Sequence, residues 1–102
     1  MPQDTIFPTD PRCTGLSISV SEVPTEGGQA YNITVQEVWS PGGPRSVFAQ
    51  RWSGYQLDLL STLVEDVTAA WMYGEARDVG RAAVSVAKVA SAHARRHDRA
   101  TV

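Results

Sequence analysis

Residues 16–21 read Leu-Ser-Ile-Ser-Val-Ser, an unbroken alternation of apolar and polar side chains. Successive side chains of a β-strand point to opposite faces, so this period of two predicts a strand with one buried and one wet face. The following segment PTEGGQ, at 24–29, predicts a turn because its paired glycines tolerate positive φ. The strand at 16–21 is therefore expected to be the first of a hairpin.

The second strand begins at Tyr31, and the odd positions of 31–39 form its apolar face. Glu37 falls on that apolar face, whereas Val38 falls on the polar one. This interruption predicts either a bulge near Gln36 or partial cover of both faces of the sheet.

A second turn is expected at 40–44, where the sequence reads SPGGP, and a third strand over 45–52. Both connections are too short for a parallel crossover, since a crossover takes a dozen or more residues. The three strands are therefore predicted to form an antiparallel meander.

A helix is predicted from Ser53, because Ser53 and Gln56 match the capping box S-x-x-Q. Gly74 is suited to end this helix. Apolar residues repeat at spacings of three and four and form one seam, namely Leu57, Leu60, Val64, Val67 and Trp71, widened by Leu63.

A second helix is predicted over 78–97, with Asp78 as its N-cap. One helix running through Gly74 and Gly80 is the alternative, at a cost of about 1 kcal/mol for each glycine. The sequence thus predicts an α+β fold, a three-stranded antiparallel β-meander followed by two α-helices (β-β-β-α-α). The seam of the last helix consists of small residues that allow close approach to a neighbour, namely Val79, Ala83, Val86, Ala90 and His93.

Domain organisation follows from the prolines at 2, 8 and 11, which disfavour helix and regular sheet pairing near the N-terminus. Residues 1–15 are predicted to form a flexible or strapping arm with Ile6 and Phe7 as its apolar anchor. Residues 16–99 are expected to form a single α+β domain, and residues 100–102 a frayed C-terminus.

Composition narrows the class of protein. The 102 residues include nine basic and eleven acidic ones, for a net charge of −2, which argues against a generic DNA-coating protein. A single cysteine excludes a disulfide framework within the chain and any zinc site that needs two thiolates. We find no signal peptide and no membrane-spanning run, and expect a cytoplasmic protein.

Candidate catalytic groups are sparse. His93 and His97 are four residues apart, which suits two metal ligands on one helix face or a pH-responsive pair, but no third ligand is placed beside them. Cys13 lies in the arm with Arg12 as its adjacent charge, a poor setting for a nucleophile. The acids of the first helix are typical of a solvated face, namely Asp58, Glu65 and Asp66. We therefore expect no enzyme activity, no cofactor and no metal.

The aromatic residues favour a protein-binding module. We expect the partner-binding residues Trp39, Trp52 and Tyr55 at the strand–helix junction, with Arg51 as a polar anchor, since tryptophan, tyrosine and arginine concentrate binding energy at interfaces. The small-residue seam of the last helix favours a homodimer. A short acidic chain of this kind is typical of accessory or phage-encoded proteins that occlude or bridge a partner protein.

The alternative function is that of a nucleic-acid-binding regulator. Basic residues gather in the last helix and could contact phosphates, namely Arg81, Lys88, Arg95, Arg96 and Arg99. The same arginines at a helix C-terminus also complement the helix dipole.

Overall fold

The computed structural model describes residues 11–74 and 76–100, and the side chains within 11–74 and 77–96. It confirms the β-β-β-α-α order. Strands β1 (Cys13–Thr25), β2 (Gly28–Trp39) and β3 (Gly43–Ser53) form one antiparallel sheet in the order β1-β2-β3. A 3₁₀ helix, Gly54–Leu59, leads into helix α1 (Leu60–Tyr73), and helix α2 follows as Ala76–Ala100.

Strand β1 begins at Cys13, three residues before the alternating stretch, and so takes in the end of the expected arm. The expected anchor Ile6–Phe7 and the C-terminal residues 101 and 102 lie outside the described residues. The main-chain N–H of Ser40 donates to the carbonyl oxygen of Arg12 at 2.8 Å and ties the start of β1 to the β2–β3 turn.

The irregularity near Gln36 is a bulge in β3. Val35 pairs with Phe48 and Gln36 with Ser46, which leaves Val47 as the extra residue. Because the extra residue lies in β3, β2 keeps its alternation and Glu37 points into the protein with 1% of its surface exposed. Turn residues Gly42 and Gly43 have φ of 129° and 73°, a conformation that favours glycine.

The helical region consists of two helices separated at Gly74, as the first of the two alternatives from the sequence predicted. Ser53 and Gln56 form the capping box, and Gln56 Oε1 accepts the Ser53 main-chain N–H at 2.6 Å. The first turns are 3₁₀, so the α-helix proper begins at Leu60. Gly74 ends α1, and its main-chain N–H donates to Ala70 at 2.9 Å. Asp78 lies in the first turn of α2 instead of at its N-cap.

The core lies between one face of the sheet and the two helices. Four members of the small-residue seam of α2, Val79, Ala83, Val86 and Ala90, are buried there, and this burial uses within one chain the surface that the sequence suggested for a homodimer. Neither helix in the described part of the chain combines the length and apolar character that a membrane span requires. The buried core comprises Ile33, Val35, Trp52, Leu63, Val67, Val79, Ala83, Val86 and Ala90.

Candidate nucleic-acid interface

The outer face of α2 carries an aligned row of cations, Arg77, Arg81, Lys88 and Arg95, which we call the basic face. Successive members are four, seven and seven residues apart, so on a helix of 3.6 residues per turn they lie within about 40° of one another. All four residues are exposed. The buried seam of α2 points the opposite way, and packing of that seam therefore presents the four charges to solvent together.

A groove of about 460 Å³ runs along the first half of this face. Val84, which is 48% exposed, gives it an apolar patch. Asp78 lies 3.9 Å from Arg81 in an exposed ion pair, a type that contributes little to stability. The groove is lined by Arg77, Gly80, Arg81, Val84, Ser85 and Lys88.

Charge is segregated along the chain. Residues 76–100 hold six of the nine bases and two of the eleven acids. The 3₁₀ helix and α1 carry acids and no base. The modest net charge of −2 therefore conceals a basic helix on an otherwise acidic domain.

The structure brings together three of the five basic residues that the sequence indicated, Arg81, Lys88 and Arg95. Arg96 is exposed but lies about 100° around the helix from Arg95. The side chain of Arg99 lies outside the described residues. Sequence reasoning missed Arg77 because it placed the helix start at Asp78, although the spacing of four from Arg81 was visible.

The four expected protein-binding residues do not share one surface. Trp39 pairs with Gly43 at one end of β2, whereas Trp52 pairs with Tyr31 eight residues away, which is about 26 Å along the strand. Trp39 therefore lies far from the strand–helix junction where it was expected. Trp52 is in the core with 1% of its surface exposed, and its Nε1 donates to Gln50 Oε1 at 3.2 Å.

Arg51 and Tyr55, the other two expected residues, lie in different environments. Arg51 is exposed on the sheet face that turns away from the helices, where its Nε donates to Asn32 Oδ1 at 3.2 Å. Tyr55 is half-buried beside His93, with ring centroids 6.0 Å apart. These two residues therefore belong to different surfaces of the domain.

Trp39 is half-buried and carries two cations over its ring. The Cζ atoms of Arg12 and Arg45 lie 5.7 and 4.7 Å from the ring centroid, within the range of a cation–π contact. Its Nε1 is buried and lies near Glu37, yet meets no hydrogen-bond geometry with any described residue.

Cys13 meets Glu37 and Trp71 in the interior. Its Sγ lies 3.8 Å from Glu37 Oε2 and accepts the Trp71 indole N–H at 3.3 Å. Burial raises the pKa of the Cys13 thiol, and burial likewise raises the pKa of Glu37 against the opposing influence of Trp39, Cys13 and Arg45. A buried thiol with a raised pKa is a poor nucleophile.

His93 is used in packing. Its Nε2 donates to the carbonyl oxygen of Tyr55 at 3.1 Å and lies 3.8 Å from Asp58 Oδ1. The side chain of His97 lies outside the described residues. Within those residues no three histidine, cysteine or acidic side chains are grouped as a metal site would require.

Comparison with known proteins found no matching protein family, no matching curated protein and no matching solved structure.

Proposed function

We propose that this chain is a non-enzymatic nucleic-acid-binding protein that holds a phosphate backbone against the basic face of α2. The observation that carries the proposal is the alignment of four exposed cations on the side of α2 opposite its buried seam. We place the protein in the cytoplasm and propose that it acts as a homodimer.

The length and the positive charge of the basic face match a run of phosphates along a nucleic-acid backbone. The row from Arg77 to Arg95 is about 27 Å long, because an α-helix rises 1.5 Å per residue. Duplex DNA carries one negative charge per ~1.7 Å of axis, so several phosphates lie within reach. Arginine also binds phosphate through two parallel N–H donors. Breaking the exposed Asp78–Arg81 ion pair so that Arg81 can bind a phosphate costs little free energy.

The test is fluorescence anisotropy with a labelled DNA duplex over a series of salt concentrations. Four neutralised phosphates predict a slope of about −3.6 in log K against log salt, and Lys88→Ala reduces the magnitude of that slope by about one. The double variant Arg81→Glu with Lys88→Glu is expected to abolish binding.

Arg51→Glu is the matched control for a single Arg81→Glu variant, since it makes the same charge change on the sheet face away from α2. It is expected to retain most of the affinity. Equal losses in Arg51→Glu and in a single Arg81→Glu variant would refute a site on α2. So would failure to bind duplex DNA, single-stranded DNA and duplex RNA alike.

A protein-binding module is the second candidate, and the observation that favours it is Trp39 with Arg12 and Arg45 over its ring. Aromatic and arginine side chains of this kind anchor protein interfaces. On this proposal the end of the sheet occludes or bridges a partner protein, as a small accessory or phage-encoded protein does. The burial of Trp52 assigns it to the core and leaves Trp39 as the anchor.

A pull-down from nuclease-treated lysate tests this second candidate. A protein retained by the native chain and by Ser46→Glu, but lost with Arg45→Glu, supports binding at the Trp39 end. Ser46 is the matched control because it is exposed on the same strand one residue away. Retention by all three chains contradicts an interface at Arg45.

A further inference from the structure

A carboxyl group is buried near one end of the sheet with little hydrogen bonding. Glu37 is 1% exposed. Among the described residues, its side chain is reached by the Cys13 thiol, whose Sγ lies 3.8 Å from Oε2, and a thiol is a weak donor. Burial with few partners disfavours the charged carboxylate, so the ionisation of Glu37 depends strongly on the groups immediately around it.

The indole N–H of Trp39 lies beside this carboxyl and is also unsatisfied. Trp39 and Glu37 are two residues apart on β2, so their side chains leave the same face of the sheet. Trp39 Nε1 is buried and has no hydrogen-bond partner within the described residues, although the indole is close enough to influence the Glu37 carboxyl. A buried donor and a buried acceptor that lie side by side can therefore pair if the acceptor becomes stronger.

The groups that face Glu37 come from the elements packed around it. β1 contributes Cys13, whose Sγ accepts the indole N–H of Trp71 from α1 at 3.3 Å. β3 contributes Arg45, which pairs directly with Glu37 in the strand register. In the described part of the chain, Arg45 is the charged group that acts on Glu37, and it lowers the pKa of the carboxyl. Its Cζ atom also lies 4.7 Å from the ring centroid of Trp39, so Arg45 has two alternative partners, the ring and the carboxyl.

We propose that Glu37 is a proton-operated switch that sets the arrangement of Trp39 and Arg45. While the carboxyl is neutral, the Trp39 N–H stays unpaired and the Arg45 guanidinium lies over the ring, as in this structure. When the carboxyl loses its proton to solvent, the carboxylate accepts the Trp39 N–H, and Arg45 moves from the ring towards the carboxylate. Hydrogen bonds to an ionised acceptor are roughly twice as strong as neutral ones, so ionisation favours the second arrangement. The inference goes beyond nucleic-acid binding and does not depend on it.

The switch lies where a buried proton can change an outer surface. Trp39 is half-buried and Arg45 is exposed, so both reach solvent, whereas Glu37 does not. Ionisation of a buried group is thereby converted into movement of an exposed one. Because burial raises the pKa of Glu37 above the ordinary value of 4.5, the change is expected above that pH.

NMR of the indole N–H groups over a series of pH values tests the switch, with Trp39→Phe used to assign the Trp39 signal. The Trp39 resonance is expected to move downfield as the pH rises, because its N–H then donates to a carboxylate. The Trp52 resonance is the internal control and is expected to stay in place, since its N–H donates to Gln50 about 26 Å away along the strands. In Glu37→Gln the Trp39 resonance is expected to lose its pH dependence.

Arg45→Gln gives a second measurement that leaves the buried carboxyl in place. Loss of the guanidinium removes the charge that favours the carboxylate, so the midpoint of the Trp39 titration is expected to move to higher pH. Ser46→Gln, at the neighbouring exposed position, is the matched control and is expected to keep the native midpoint. A Trp39 resonance that does not move with pH, or that moves equally in Glu37→Gln, overturns the proposal. A midpoint that Arg45→Gln leaves unchanged overturns the role of Arg45.

Discussion

The side-chain Nε2 of Gln56 lies 3.0 Å from the main-chain oxygen of Ala90 and donates a buried hydrogen bond across 34 residues of sequence. The same side chain accepts the main-chain N–H of Ser53 through Oε1. One glutamine, 7% exposed, therefore joins the end of β3, the 3₁₀ helix and the second half of α2.

Replacement of Gln56 by alanine is expected to destabilise the fold by about 1–3 kcal/mol, because the Ala90 carbonyl oxygen loses a buried hydrogen bond and the Ser53 main-chain N–H a part-buried one. Urea unfolding followed by tryptophan fluorescence measures the change. Thr62→Ala, at an exposed position of α1, serves as the comparison and is expected to stay within about 0.5 kcal/mol of the native chain. Equal midpoints for the two variants would show that the bridge contributes nothing.

Glycine is required at position 74, where α1 ends, because the surrounding atoms leave no space for a Cβ. A Cβ at this position would lie 2.6 Å from Asp78 Oδ2 and 2.7 Å from the carbonyl oxygen of Ala70, so main chain would have to move. Gly74→Ala is expected to cost about 1–3 kcal/mol in thermal or urea unfolding. Gly27→Ala, where a Cβ meets no atom within 4 Å, is the control and is expected to be close to neutral. A larger loss in Gly27→Ala than in Gly74→Ala would contradict this account.

Local patterns were sufficient to predict the element order. The alternation of 16–21 and the Ser53–Gln56 capping box act over a few residues, and the structure retains both. The convergence of Cys13 with Trp71 spans 58 residues and depends on how α1 packs, which no local pattern encodes. The separation of Trp39 from Trp52 could have been predicted from the sequence, because a tight turn at 40–44 already places the two residues at opposite ends of paired strands.

Burial of Cys13 makes its thiol slow to react. Its 2% exposure and raised pKa predict that the folded chain reacts with a disulfide reagent far more slowly than the chain in denaturant. Thr62→Cys, which keeps Cys13 and adds one exposed thiol, is expected to release one equivalent quickly and the second slowly. Rapid labelling of the native folded chain would contradict the buried cluster.

Glu37 predicts a specific dependence of stability on pH. Burial, the largest influence, raises the pKa of its carboxyl above the ordinary value of 4.5, so the folded chain holds this proton more tightly than the unfolded chain does. The Glu37 contribution to stability is fully present below that value and is lost as pH rises through the folded-state pKa. Glu37→Gln remains neutral, and we expect its free energy of unfolding to rise relative to the native chain over that pH range. Urea unfolding at a series of pH values measures the difference, with Glu22→Gln as the exposed control expected to follow the native curve. Parallel curves for Glu37→Gln and the native chain would mean that the pKa of Glu37 is the same in the folded and unfolded chains.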